Sequence, residues 1–118
     1  MRVVAGELRG RPLLAPDGLD TRPTTDRVRE AVFNALVSLD LVDGARVADL
    51  FAGSGAMGIE AISRGAAQCR FVERDRRAVG VVRENLKRLG IEDRGDVVVA
   101  DALVAARSLG KVDLVLAD

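Results

Sequence analysis

Ten residues, Asp49-Leu50-Phe51-Ala52-Gly53-Ser54-Gly55-Ala56-Met57-Gly58, combine one carboxylate with three glycines where a strand runs into a helix. Gly53 and Gly55 put no Cβ in the path of a ligand, and the helix that follows offers free backbone N–H groups. The spacing Gly53, Gly55, Gly58 satisfies G-x-G-x-x-G, the dinucleotide fingerprint, which is a weak match when taken alone. Asp49, four residues before Gly53, separates the candidate cofactors. A carboxylate there receives the ammonium group of an amino-acid cofactor such as S-adenosylmethionine, and it repels a pyrophosphate. The competing role for Asp49 is a helix cap or an arginine partner.

Two further acids follow strand-like runs. Glu73 ends the second, where a carboxylate accepts both ribose hydroxyls of either cofactor, so it supports a nucleoside without choosing between S-adenosylmethionine and NAD. Asp101-Ala102 follows the third, within reach of an adenine amino group, although an acid before a helix is also a common N-cap. Phe51 and Ala52 in the turn, and Arg74 beside Glu73, complete the candidate cofactor site. Asp118 stands at the end of a fourth strand, beside the first in the usual doubly wound order. It is the candidate catalytic residue: an acid there hydrogen-bonds an exocyclic amine and holds its lone pair toward a methyl group.

The elements that must position these residues can be read from periodicity. Residues 2 to 5 and 12 to 15, separated by Gly6 and Gly10, form a small β-hairpin or extended arm. Pro16, Gly18 and Pro23 punctuate a loop. From 25 to 39 the apolar residues Val28, Val32, Ala35, Leu36 and Leu39 share one helix face, with Thr24 or Thr25 as the cap. Strands are expected at 46–51, 69–73, 96–100 and 112–117, and helices at 56–64, 75–89 and 103–108, with Val79, Val82, Leu86 and Leu89 inward and Gly90 as a stop. Alternation at this spacing implies an α/β fold with a parallel sheet. The continuous runs at 97–99 and 114–116 imply cover on both sheet faces. The expected organisation is an arm (1–23), a helix (24–42) and a Rossmann-like core (43–118), ending on an apolar edge strand in the manner of a fragment.

Composition narrows the classes. The 118 residues are 48% hydrophobic and 31% charged, which suits one globular domain. There is no apolar run long enough to span a bilayer and no secretory h-region, and the lone Cys69 excludes an internal disulfide, so a cytoplasmic monomer is expected. The absence of histidine removes triads and most zinc sites, and no metal is expected; Cys69 is read as core packing. Basic and acidic residues balance at 18 each, so net charge points to no nucleic-acid partner. Arg2, Arg9 and Arg11 nevertheless cluster against the single acid Glu7, as candidate RNA contacts. The general excess of arginine over lysine reads as genome composition. Three phenylalanines are too few for a base-stacking platform.

With those residues in place, the sequence resembles the RsmD family, bacterial methyltransferases that modify the exocyclic N2 amine of a guanine in 16S ribosomal RNA. The resemblance spans the chain. It rests on Arg2-Val3-Val4-Ala5-Gly6 through Arg9-Gly10-Arg11, on Arg22-Pro23-Thr24-Thr25-Asp26-Arg27-Val28-Arg29-Glu30, on Asp49 to Gly58, and on Gly65-Ala66-Ala67 leading to Phe71-Val72-Glu73. It implies a Rossmann-like class I methyltransferase fold, S-adenosylmethionine as cofactor, and 16S ribosomal RNA or the small ribosomal subunit as partner. It also implies that Asp49, Gly53, Gly55, Glu73 and Asp101 line the cofactor pocket, and that the segment around Thr24 and Arg27 helps to close it. A capped helix start is the alternative for that segment. In such amino-methyltransferases an Asp or Asn followed by Pro-Pro and an aromatic clamps the target base; Asp118 matches the first position, and the sequence ends there. The alternatives from other classes are an NAD-dependent oxidoreductase, which leaves Asp49 unexplained, and a non-catalytic RNA-binding fragment.

Overall fold

The computed structural model describes residues 1–16 and 25–118. Its centre is a parallel sheet of β1 (Arg46–Asp49), β2 (Gln68–Glu73), β3 (Gly95–Val99) and β4 (Leu114–Leu116), in the order β3-β2-β1-β4. The helices are α1 (Asp26–Ser38), α2 (Ala56–Ser63), α3 (Arg76–Leu89) and the short α4 (Ala102–Ala106), and a 3-10 turn, Glu92–Arg94, leads into β3. β4 lies beside β1, with Asp49 opposite Leu116, as the doubly wound order requires. Among the described residues no helix is long and apolar enough to cross a membrane.

The α/β alternation follows from the apolar runs, and their burial bears it out. Val47, Ala48, Phe71 and Val72 are buried in the two central strands, against Ile59 and Ile62 of α2 and Val79, Val82, Leu86 and Leu89 of α3. Gly90 stops α3 in the left-handed conformation, φ 70°. Cys69 is buried and unpaired, as core packing requires. The third glycine of the turn has a packing role: a Cβ on Gly58 would lie 2.4 Å from Phe71 Cε1 and 2.6 Å from Cys69 Sγ. Its bare backbone therefore sets how closely α2 seats on β2.

Several expected boundaries move. β1 ends at Asp49 rather than Phe51, because Leu50 and Phe51 already turn, although Leu50 N still donates to Leu116 O (2.9 Å) and Ala52 N to Val72 O (3.0 Å). β4 and α4 are shorter than expected. Full cover of the sheet is not realised at its edges, where Val99 and Val115 are exposed. The arm is a hairpin held by one bridge, Arg2 to Pro12, and by backbone bonds such as Val3 N to Arg11 O (2.9 Å).

The sequence left open which face of α1 is buried. Thr25 caps the helix, its Oγ1 accepting from Val28 N at 3.1 Å, but the apolar stripe is not the buried face. Val28, Val32 and Leu39 are exposed, whereas Arg29 and Phe33 are wholly buried. The reason lies on α2, where the buried Glu60 accepts from Arg29 Nε (3.3 Å), Arg64 Nε (2.8 Å) and the backbone N–H groups of Val4 (2.9 Å) and Ala5 (3.0 Å). Arg29 also donates to Arg2 O, and the Arg64 guanidinium covers the Phe33 ring, 5.6 Å from its centroid. One carboxylate thus ties arm, α1 and α2 together.

Two outcomes test this packing. Gly58→Ala should lower stability by about 1–3 kcal/mol through overpacking, read from a urea melt. Glu60→Gln, which deprives the buried Arg64 of the carboxylate it pairs with and leaves Arg29 with Asp26 alone, should cost about 3–5 kcal/mol in the same assay. A wild-type midpoint for either would refute the corresponding contact.

Candidate functional site

The glycine turn gathers most of the expected cofactor residues at the carboxyl ends of β1 to β3. Gly55, the N-cap of α2, has φ 86° and no side chain with which to cap. Its role passes to neighbours: Asp49 Oδ2 accepts from Gly58 N (3.0 Å), and Ser54 Oγ accepts from Ala56 N (3.3 Å). The cap role left open for Asp49 is therefore real. A carboxylate carries two oxygens, so capping by one is compatible with holding a ligand by the other.

Glu73 pins the turn from β2. Its Oε1 accepts from Gly53 N and its Oε2 from Asp75 N, both at 2.9 Å. Gly53 has φ 58° and open space where a Cβ would stand, a cradle against which a ligand can lie. Asp101 caps α4, accepting from Leu103 N (2.9 Å) and Val104 N (3.3 Å), and Arg74 lies 3.9 Å from its Oδ2. Phe51, Glu73, Arg74, Asp101 and Ala102 line a single depression of about 300 Å³, with Val72 and Ala100. Ala52 is buried beneath the turn. The expected adenosine-side residues are thus contiguous. Thr24 falls outside the described residues; its neighbour Thr25 is described.

Asp49 is the electrostatic centre of the site. Burial pushes its carboxyl from 3.8 up to about 7; the Gly58 N–H works against that shift, and the negative fields of Asp118 and Glu73 add to it. Asp118 also borders a cleft of about 510 Å³ formed by α1, Met57 and β4, where Thr25, Val28, Val32 and Leu36 face Leu114 to Ala117. The apolar stripe that periodicity placed on one face of α1 supplies one wall of this cleft.

The arm arginines are not brought to this site. Arg2 Nη1 donates to Gly10 O (2.8 Å), and Arg11 Nη2 to Arg88 O (2.9 Å) in the last turn of α3, whereas the carboxylates sit where α3 begins. Arg9 is exposed on the same arm. Sequence reasoning missed Glu60 and Asn85, both fully buried. The signal was present in each case: Glu60 is the one charge inside the apolar run 56–63, and Asn85 falls between Val82 and Leu86 on the inward face of α3.

The family profile described as "Conserved hypothetical protein 95" matches residues 1–118. The chain belongs to this family. It is similar to the putative rRNA methyltransferase YlbH of Bacillus subtilis, with 47% identity over 111 residues, covering 94% of this chain and 59% of that protein. It is 48% identical over 89 residues to the ribosomal RNA small subunit methyltransferase D of Escherichia coli, covering 75% of this chain and 44% of that protein. The resemblance to the RsmD family is thereby borne out. Among solved structures, the putative methyltransferase yhhF from Escherichia coli superposes with a TM-score of 0.78 at 39% identity, covering 89% of this chain and 55% of that one. The fold is that of the Rossmann-like methyltransferases, and the chain spans about half the length of these relatives.

Burial of Asp49 fixes a sign. Between about pH 4 and 7 the folded chain keeps on Asp49 a proton that the unfolded chain has released, so stability falls as pH rises across that window and levels off above it. Asp49→Asn keeps the acceptor for Gly58 N–H without the charge. Its urea midpoint should exceed that of the wild type near pH 8 and approach it near pH 4; a variant less stable at both would contradict the assignment.

Proposed function

We propose that this chain is the cofactor-binding part of an S-adenosylmethionine-dependent methyltransferase acting on the exocyclic N2 amine of a guanine in 16S ribosomal RNA, in the cytoplasm. The observation that carries the cofactor is Asp49. A carboxyl whose charge is suppressed by burial and by two neighbouring acids is relieved by a cation and worsened by a pyrophosphate. A ligand with an ammonium and a sulfonium suits that environment; NAD does not. The RNA substrate rests on the relatives, named as rRNA methyltransferases.

In this reading Asp49 holds the ammonium, the Gly53–Gly55 backbone lies against the chain of the amino acid, Glu73 accepts the ribose hydroxyls, and Asp101 meets the adenine amine. Phe51 and Ala102 flank the base. S-adenosylmethionine, when bound, supplies an activated methyl on its sulfonium. What the protein adds is orientation: Asp118 accepts a hydrogen bond from the guanine amine and holds its lone pair in line with that methyl.

Calorimetric titration near pH 8 should show S-adenosylhomocysteine binding, no heat with NADH, and no binding to Asp49→Ala. Wild-type affinity should rise as pH climbs through about 7, because only the ionised Asp49 pairs with an ammonium. Asp118→Ala should keep that affinity and lose about a hundredfold or more in labelled methyl transfer to 16S RNA. Binding of NADH in place of the homocysteine ligand would reverse the assignment.

A further inference from the structure

Asn85 of α3 is 1% exposed and makes three hydrogen bonds. Its Oδ1 accepts from Leu14 N (2.9 Å), and its Nδ2 donates to Leu14 O (3.1 Å) and to Ser54 O (2.9 Å). Its two amide protons therefore go to two separate parts of the chain, the arm and the glycine turn.

The carbonyl of Ser54 lies between Gly53 and Gly55, two residues with positive φ whose peptides turn easily. Glu73 fixes the Gly53 N–H on one side, and Asn85 fixes the next carbonyl on the other. At the arm, Leu14 closes a run of anchors that starts with Val4 and Ala5 on Glu60 and continues through Leu8 N on Ser63 Oγ (3.0 Å). An apolar residue at 85 would fill the space and leave three part-buried backbone groups without the partner they have here.

We propose that Asn85 is a positioning residue that couples the arm to the cofactor turn, so that docking of residues 1–14 sets the affinity of the turn for S-adenosylmethionine, and cofactor binding in turn secures the arm. The coupling is reciprocal because one orientation of a single amide holds both groups at once. The inference rests on the turn being the cofactor site, as proposed above.

The test uses S-adenosylhomocysteine as the probe on the full chain. Asn85→Asp preserves shape and the acceptor for Leu14 N–H, but sets oxygen against the carbonyls of Leu14 and Ser54; its Kd should rise about tenfold or more while the thermal transition stays cooperative. Leu14→Pro removes the N–H donor from the arm alone, and should raise Kd about three- to tenfold through Asn85, which bonds both Leu14 and Ser54. The double variant should bind no more weakly than Asn85→Asp. In the wild type the probe should slow hydrogen exchange of the Leu14, Val4 and Ala5 amides, and in Asn85→Asp it should not. Unchanged Kd in both single variants, or exchange slowed equally with and without Asn85, would overturn the coupling and leave Asn85 a purely structural residue. A wild-type chain that binds no probe at all would instead sink the cofactor reading, and the inference with it; if Asn85→Asp does not fold, Leu14→Pro and the wild-type exchange data decide.

Discussion

The carboxyl of Asp49, buried at the end of β1 and bonded to the N–H of Gly58, is the contact on which the site depends. It joins the last residue of a central strand to the first turn of α2, and so orients the glycine turn between them. The geometry works because Gly58 has no Cβ and brings α2 hard against Phe71 and Cys69. Close seating keeps Asp49 out of water, and burial raises its proton affinity. A group that folding alone would leave uncharged is thus held ready for a cation, with the penalty borne by the core around it.

A second charge, Glu60, organises the other side of α2. It is satisfied by two guanidinium groups and two backbone amides, drawn from α1, from α2 itself and from the arm. With Ser63 and Asn85 it converts a hairpin that makes one bridge of its own into a strap bonded to α2 and α3. Arginines whose clustering suggested RNA contacts serve in part to hold this strap, as Arg2 and Arg11 do through backbone carbonyls. Their charges remain at the surface, away from the carboxylates.

The orientation of α1 follows from the same network. Periodicity assumes that apolar side chains seek the interior, which holds unless a charged residue arrives with its partner. Arg29 meets Glu60 and Asp26, so it enters the core with Phe33 beneath the Arg64 guanidinium. Val28 and Val32 are turned outward and, with Val115 and Leu116, wall the cleft that Asp118 borders. The apolar stripe of α1 is a surface of that cleft.

Local physics in the sequence determined the alternation of strand and helix, the parallel sheet, the inward face and glycine stop of α3, the core position of Cys69, and the cluster of Phe51, Glu73, Arg74, Asp101 and Ala102 around the glycine turn. Each depends on short-range periodicity, on glycine, or on the rule that ligands of such sheets sit at carboxyl ends. Tertiary structure alone decided which face of α1 is buried, that Glu73 holds the Gly53 N–H of the turn, and that Glu60 and Asn85 bind the arm to the core. These outcomes join residues up to 71 positions apart, as Asn85 and Leu14 are. A buried polar group is stable only beside partners that the chain brings from elsewhere, so its place becomes visible once the chain has folded.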